Sequence, residues 1–138
     1  MRPDRGSVTI WMLGLSVLLL LFGGLAIDFW RALALQRELA AVADSAAIAA
    51  ASGIDEEHYR ATGEVILDPI RARELGAASV TGQDLDSASF EIATHSDGLS
   101  VDVVVVDSIE LGLLGLFVDQ TEPLTVRAEA TATPRLLP

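Results

Sequence analysis

The chain contains two histidines, and each lies among residue types that take part in metal binding or catalysis. His58 follows Asp55, Glu56 and Glu57, a composition compatible with a hard-cation site or a His–carboxylate pair. These neighbours point in several directions around a helix start. The sequence therefore favours a solvated helix N-terminus at this position and predicts no metal site.

The second histidine begins the sequence His95-Ser96-Asp97, which contains the three residue types of a catalytic triad. Consecutive residues in a tight turn do not easily reach one another in triad geometry, so no catalysis is predicted there. Asp84 and Asp86 lack the Gly and the final Glu of a calcium-binding loop, and the scattered glycines form no phosphate-binding loop. The absence of Cys excludes thiolate nucleophiles, disulfides and cysteine metal sites. We therefore predict no enzyme, no cofactor and no metal.

Asp28 is the residue whose position in the sequence most clearly suggests a function. It follows directly on an apolar run, where an interfacial charge can still reach water. One interpretation is an ordinary charged flank that ends a membrane span. The other is that Asp28 pairs with an Arg, a Lys or a free N-terminus of a neighbouring subunit and sets the register of packed helices. The sequence leaves both open.

An uncharged run near the N-terminus predicts a transmembrane helix over residues 7–27. Of its 21 residues 15 are apolar, and about 20 such residues cross the ~30 Å of a bilayer core. Trp11 and Trp30 bracket the run, as expected from the preference of indole rings for the two interfaces. With Leu19 and Phe22 in the apolar run, these four residues form the predicted membrane anchor.

The flanking charges predict how this helix is oriented. Arg2 and Arg5 precede the span, which favours a short cytoplasmic N-terminus of residues 1–6 and a single-pass protein of the inner membrane with its C-terminal part outside. The alternative is a cleaved signal peptide, with small residues at 24–26 or 32–34. The apolar run is longer than the ~7–15 residues of a signal-peptide core, so the uncleaved anchor is favoured.

The helix is predicted to continue beyond the membrane as a stalk over residues 28–52. No Gly or Pro interrupts it before Gly53, and strong helix formers dominate. Leu39 lies on an apolar face, and Ala43 and Ala47 crowd the next, where small side chains allow another helix to approach closely. That face packs on another subunit or on the chain's own domain, and the sequence leaves both open.

The remaining residues predict a small α+β domain over 53–133 and a flexible tail at 134–138. Short helices are marked by acidic residues or Pro at their starts, and strands by alternation or Val-rich runs. Asp97-Gly98 predicts the turn of a hairpin. The expected helices are 55–62, 69–75 or beyond, and 109–117 after an Asp107-Ser108 cap, and the expected strands are 88–94, 99–106 and 123–131.

The predicted fold class is therefore α+β. An N-terminal transmembrane helix continues into a long Ala-rich helix, followed by a small domain of short helices and about three antiparallel strands, which is pilin-like in outline.

The composition fits the division into an apolar membrane helix and an acidic domain. The formal net charge is −11 and the mean hydropathy is +0.44, and residues 28–138 hold 7 Arg and 19 acidic residues. This acidic balance argues against nucleic-acid binding, and no small-molecule substrate is predicted.

The order of features over residues 5–51 resembles a known family. The features are an Arg-Gly pair, an apolar helix, an Asp at its end, an Arg one turn later and an Ala-rich segment containing an Asp. In this sequence they are Arg5-Gly6, residues 7–27, Asp28, Arg31 and LQRELAAVADSAAIAAA (35–51) with Asp44. This order is similar to the start of the TadE/TadG-like proteins of the Flp (Tad) pilus-assembly system, and the short acidic chain is more similar to the TadE-like members. Leu39-Ala40 stands where the family typically has Leu-Gln.

The resemblance implies a membrane-anchored minor pseudopilin, or accessory subunit, of a pilus or related secretion machine. The implied partners are the lipid bilayer, other pilus-assembly or pseudopilin subunits, and membrane platform proteins that work with an ATPase. The residues assigned to helix packing are Asp28, Arg31, Leu39, Ala43, Asp44 and Ala47.

The resemblance also raises the question of N-terminal processing. Some relatives are cleaved by a prepilin peptidase after a Gly, and recognition involves a Glu five residues further on. Trp11 occupies that position after Gly6, which argues against processing. The alternative function is an exported or membrane-tethered binding or regulatory domain unrelated to pili.

Overall fold

The computed structural model describes residues 5–83, 88–110, 112 and 123–135, and this part of the chain folds into three helices and one three-stranded sheet. The α+β class predicted from the sequence is confirmed. The helices are α1 (Arg5–Ala51), α2 (Glu56–Thr62) and α3 (Pro69–Thr81), and the strands are β1 (Ser89–Thr94), β2 (Val101–Ile109) and β3 (Leu124–Ala132).

Helix α1 is unbroken over 47 residues, as expected from the lack of helix-breaking residues after the apolar run. It contains a segment long and apolar enough to cross a membrane, of which only 6% is buried. A core helix of a soluble protein would be mostly buried. The helix ends where the Ser52 and Gly53 amides donate to the carbonyls of Ala49 and Ala50, at 3.2 and 3.0 Å, a tightened last turn.

The contacts divide the chain into two compact units. The first contains residues 1–34 and 109–124, and the second contains residues 35–108 and 125–138. The first unit therefore combines the apolar part of α1 with the connection between β2 and β3. The second holds the remainder of α1, helices α2 and α3, and most of the sheet.

The core of the second unit is built by α1, α3 and one face of the sheet. Alanines supply most of the contribution of α1, so that its backbone lies close to its neighbours. A methyl group on Gly76 of α3 would lie only 2.7 Å from Ile92 Cδ1 and 3.2 Å from Ala50 Cβ, which shows how tightly the layers approach. The buried core residues are Leu39, Val42, Ala43, Ala46, Ala47, Ala50, Ala51, Leu67, Ala72, Val80, Ile92, Val101, Val103, Val105, Ala128 and Ala130.

The sheet has the order β1-β2-β3 and is antiparallel. The first hairpin pairs Ser89 with Val106 and Thr94 with Val101. Along β2 the side chains alternate between a buried face and a partly exposed one, the expected period of a sheet covered on one side. The predicted turn is present, and Gly98 adopts a φ of +68°, which favours glycine.

The short helices begin at acidic caps. Asp55 accepts a hydrogen bond from the His58 amide at 2.9 Å, and Asp68 accepts one from the Ile70 amide at 2.9 Å. Pro69 occupies the first turn of α3, where its missing N–H costs nothing. Helix α3 extends to Thr81, in agreement with the prediction of a helix over 69–75 or beyond.

The start of the helix predicted over 109–117 is wrong. Asp107, Ser108 and Ile109 continue β2 rather than capping a helix. The reason is the strand alternation: Asp107 points inward and is 9% exposed, in phase with the buried valines that precede it. Residues 111 and 113–117 lie outside the described residues, as do Asp84, Asp86 and residues 136–138.

Candidate functional site

The residues predicted to anchor the chain in lipid are exposed on α1. Trp11, Leu19, Phe22 and Trp30 each show more than half of their surface. A continuous surface of large apolar side chains is stable when lipid or protein covers it rather than water. These exposed apolar side chains form a band along α1, as expected of a helix in contact with lipid.

Asp28, at the end of this band, is 5% exposed. One of its carboxylate oxygens, Oδ1, accepts a hydrogen bond from the backbone N–H of Gly112 at 3.1 Å, and the two residues belong to the same compact unit. The sequence hypothesis paired Asp28 with a cation on a neighbouring subunit. That pairing stays a prediction, but the structure gives the carboxylate a partner within its own chain.

The backbone at Gly112 leaves little room for a side chain. A methyl group there would lie 3.1 Å from Asp28 Oδ1 and 3.6 Å from Arg31 Nη1. The first distance is shorter than ordinary van der Waals contact, so a larger residue would push the carboxylate away. Arg31, one turn after Asp28, therefore lies near the same point with its guanidinium. The Asp and Arg that carried the family resemblance thus meet the β2–β3 connection at one place.

Further along α1, the residues assigned to helix packing separate into two groups. Leu39, Ala43 and Ala47 are at most 2% exposed and lie in the chain's own core, whereas Asp44 is exposed. Of the two alternatives for the Ala-rich face, the structure shows packing on the chain's own domain. The face that carries Ile48, which is 69% exposed, remains on the surface.

Glu56, one of the acidic residues beside His58, has other partners. Glu56 forms ion pairs with Arg60 at 2.7 Å and Arg71 at 3.2 Å, and His58 Nε2 lies 3.6 Å from Glu64 Oε2. In the described ranges, no group of three or more His, Asp or Glu side chains is placed to hold a metal ion.

His95 is part of a polar network that sequence reasoning did not find. Its Nε2 lies 2.7 Å from Asp102 Oδ2, and Thr131 Oγ1 donates to Asp102 Oδ1 at 2.7 Å. The Asp of the expected turn, Asp97, instead accepts from the Leu99 amide within the turn. The sequence feature that could have indicated this network is Asp102, a charged residue in a run of valines at an outward-facing strand position. The network joins β2 and β3 to His95, the residue that follows β1, through side chains at the exposed face.

The hydrogen bond from Thr131, and then the contact with His95, lower the pKa of Asp102 below its ordinary value. Because the folded-state pKa is below the unfolded one, the stabilisation is complete above about pH 4, the unfolded value. It is lost as the pH falls through the folded-state pKa. We expect Asp102→Asn to destabilise the detergent-solubilised chain at pH 7, and the difference from wild type to shrink as the pH falls below about 4. Urea denaturation at each pH measures the difference in the free energy of unfolding.

Thr131→Val is the matched control for this pH dependence, because it removes the largest cause of the pKa shift and leaves the carboxylate in place. In this variant the free energy of unfolding should fall less as the pH is lowered. A stability difference between wild type and Asp102→Asn that does not change with pH would show that the network does not hold Asp102 in its charged form.

The N-terminal part of the chain matches a protein-family model. Residues 6–53 match the model of the Tad family, Flp pilus-assembly TadE/G-like, and this segment is about a third of the chain. Its limits nearly coincide with those of α1, Arg5–Ala51. No curated protein and no solved structure matches the chain. The resemblance found in the sequence is therefore confirmed over residues 6–53, which are similar to the TadE/G-like proteins of Flp pilus assembly.

Proposed function

We propose that the chain is a membrane-anchored accessory subunit, a minor pseudopilin, of a Tad/Flp-type pilus or a related secretion apparatus. The observation that carries this proposal is the coincidence of the family match, residues 6–53, with helix α1. The Tad family consists of structural or assembly components of pili, and we propose no catalytic role. Its implied partners are other pilus subunits.

The exposed apolar part of α1 fits a single-pass membrane anchor. We place this anchor in the inner membrane with the N-terminus inside, since Arg2 and Arg5 precede the span. The acidic remainder of the chain then lies outside. The exposure of Trp11 and Trp30 supports this arrangement, because both indoles are available to the two membrane interfaces.

Helix packing within the membrane is the proposed mode of action. The Ala-rich face that could have packed on another subunit is already buried in the chain's own core. The surface of α1 that remains for a partner helix is therefore the apolar span and the exposed side that includes Asp44 and Ile48. Packing between membrane helices depends on shape and close contact, since lipid tails are as apolar as the side chains.

The test is deletion and complementation in the source cell, with pili counted by electron microscopy. Deletion of the gene should abolish or strongly reduce pili, and the wild-type chain should restore them. A variant with residues 7–27 replaced by a polyleucine span of equal length, with Asp28 kept, should remain in the membrane yet fail to restore assembly. Immunoblots of the membrane fraction control for the amount of protein.

Two outcomes would contradict the proposal at different levels. Unchanged pili after deletion would exclude the assembly role and favour an exported or tethered binding or regulatory domain. Full restoration by the polyleucine span would keep the assembly role but exclude specific helix packing in the membrane as its mechanism.

A further inference from the structure

The sheet ends in two edge strands that run in the same direction. Its order is β1-β2-β3 and it is antiparallel throughout, so β1 and β3 are parallel to each other. In the described part of the chain, β2 is the one hydrogen-bonded neighbour of each edge strand. The outer side of an edge strand presents backbone N–H and C=O groups that another strand can bind. Neither β1 nor β3 contains Pro or Lys, residues that hinder such pairing.

The two edge strands are more exposed than the strand between them. Four residues of β2 are buried, whereas β1 has one buried residue, Ile92, and β3 has two, Ala128 and Ala130. Phe90 lies on the same side of β1 as Ile92, two residues away, yet it is 42% exposed. A partner strand along the free edge of β1 would cover part of this apolar ring.

The common direction of β1 and β3 determines how two copies of the chain can join. When β3 of one copy pairs in parallel with β1 of the next, and the same face of each sheet is turned to the same side, the two copies have the same orientation. Copies anchored in one membrane by the same helix need this relation. Because the contact is head-to-tail, the next copy still has a free β3 edge and the row can continue.

One register of this pairing places opposite charges together. Arg127 and Glu91 are exposed on the face of the sheet that points away from the core, where both line a shallow hollow. A register that sets Arg127 beside Glu91 of the next copy puts them on strands about 4.8 Å apart, a favourable cross-strand pair. A slip of two residues sets either Glu129 or Thr125 beside Glu91, without an opposite charge. A slip of one residue pairs outward side chains with inward ones.

The contacts within the chain leave both charges accessible to such a partner. Arg127 forms an ion pair with Glu129 at 3.3 Å, but both side chains are more than half exposed, and surface pairs of this kind add little stability. Glu91 takes part in none of the ion pairs between described residues. The same register sets Val126 beside Phe90 of the next copy, which gives the exposed ring an apolar neighbour.

We propose that copies of this chain in one membrane pair edge to edge, with β3 of one copy parallel to β1 of the next and Arg127 beside Glu91, so that their sheets become continuous. The partner is a second copy of this chain, and a strand of another protein is an outcome that the test distinguishes. The proposal rests on the membrane anchor of the proposed function for the common orientation of the copies. It adds a contact between sheets to the helix packing proposed above.

The chain has no Cys, so introduced cysteines can report the contact by forming disulfides. The proposed register sets Thr125 beside Ser89 of the next copy, at about 4.8 Å, which is within the Cα separation of a disulfide. Within one chain these positions lie on strands separated by β2, about 9.6 Å apart, which is too far for a bond. A disulfide between them therefore joins two copies.

The full-length chain with Ser89→Cys and Thr125→Cys is reconstituted into phosphatidylcholine–phosphatidylglycerol vesicles, oxidised and separated on non-reducing gels. We expect a ladder of dimers and larger species. The matched control carries Ala93→Cys with Thr125→Cys, which places the cysteines four residues, about 13 Å, out of register. The linked fraction should be several-fold lower in this control at the same protein density.

The charge pair is tested by reversing it in the chain with Ser89→Cys and Thr125→Cys. Arg127→Glu places like charges together and should lower the linked fraction at least about threefold, and Glu91→Arg should do the same. The chain that carries both reversals again has opposite charges at the contact and should recover most of the linking. A sheet that is merely destabilised by the substitutions would not recover it, and circular dichroism of each variant measures folding separately.

Each outcome separates this proposal from the proposed function, which the pilus counts test independently. Protein that resists a carbonate wash of the vesicles but forms no ladder overturns the pairing and leaves the anchor standing, whereas protein released by the wash overturns the anchor. A β3 edge that binds a different subunit also gives no ladder, because the vesicles hold the purified chain alone.

Three further results would overturn the pairing as described. Equal linking in the out-of-register control shows that the disulfides come from random collision in the bilayer. Dimers from chains with Ser89→Cys alone or Thr125→Cys alone, as abundant as the ladder, show that like edges meet. Linking that survives Arg127→Glu shows that the ion pair with Glu91 does not set the register.

Discussion

Replacing Leu39 with Ala is expected to destabilise the second unit by about 2–5 kcal/mol, the cost of removing a buried Leu side chain and leaving a cavity. Leu39 is fully buried and is one of the largest side chains in the core. Each 1.4 kcal/mol is a factor of ten in an equilibrium constant, so the protection of the β2 amides should fall by at least about tenfold. Hydrogen exchange of the full chain in detergent, read at Val101–Ile109, measures it.

Ile48→Ala is the control for this prediction, since Ile48 lies on the same helix but is 69% exposed. Its substitution should change stability by no more than about 0.5 kcal/mol. Equal effects of the two variants would contradict the placement of the Ala-rich face in the chain's own core. Because Ala43 and Ala47 lie in the chain's own core, Ala43→Leu or Ala47→Leu would overpack that core whether or not another subunit packs nearby.

Gly53→Ala is expected to have the second large effect, a destabilisation of about 1–3 kcal/mol from overpacking. Gly53 lies just beyond the end of α1, against the first turn of α3. A methyl group there would lie 2.7 Å from the Ala72 nitrogen and 2.8 Å from Ala72 Cα. Both are backbone atoms, so no side chain can rotate away, and α3 itself must shift. Thermal unfolding of the full chain in detergent, followed by circular dichroism, reports the change.

Gly82→Ala is the matched control at the other end of α3. Gly82 has a φ of −75°, which Ala adopts without strain, and the nearest contact of an added methyl group would be Ala78 O at 3.3 Å. The variant should lie within about 1 kcal/mol of wild type, because reduced freedom of the unfolded chain offsets the close contact. A Gly53→Ala chain as stable as this control would show that α1 and α3 do not meet as closely as described.

The elements that could be predicted from the sequence are those with local signals. Residues 7–51 combine an uncharged run with uninterrupted helix formers, which determines a long helix whatever lies beside it. Pro69 after Asp68, and Asp97-Gly98 between two alternating segments, likewise determine a helix start and a hairpin turn. The misjudged end of β2 had two competing local signals. Asp107 fits a helix cap, but it also continues the inward positions of the strand, and pairing in the sheet decided between them.

The site was predictable only in part, for a physical reason. The position of Asp28 at the end of an apolar run is visible in the sequence. Its partner is the backbone N–H of Gly112, and a backbone donor cannot be predicted from residue types. Ala43 and Ala47 were ambiguous because small residues suit the packing of a neighbouring subunit and of the chain's own core equally well. Their burial depends on distant strands, which a local pattern does not specify.

The central claim is that residues 7–27 remain on the mature protein as its membrane anchor, within a TadE/G-like helix that continues into the folded domain. Mass spectrometry of the protein extracted from membranes after an alkaline carbonate wash tests it most directly. We expect the membrane pellet to hold a species that retains residues 7–27, with Met1 or Ser7 as the first residue of the present sequence. A mature protein that begins near Ile27 or Leu35 would contradict the claim, because the apolar segment would then be a removed signal peptide.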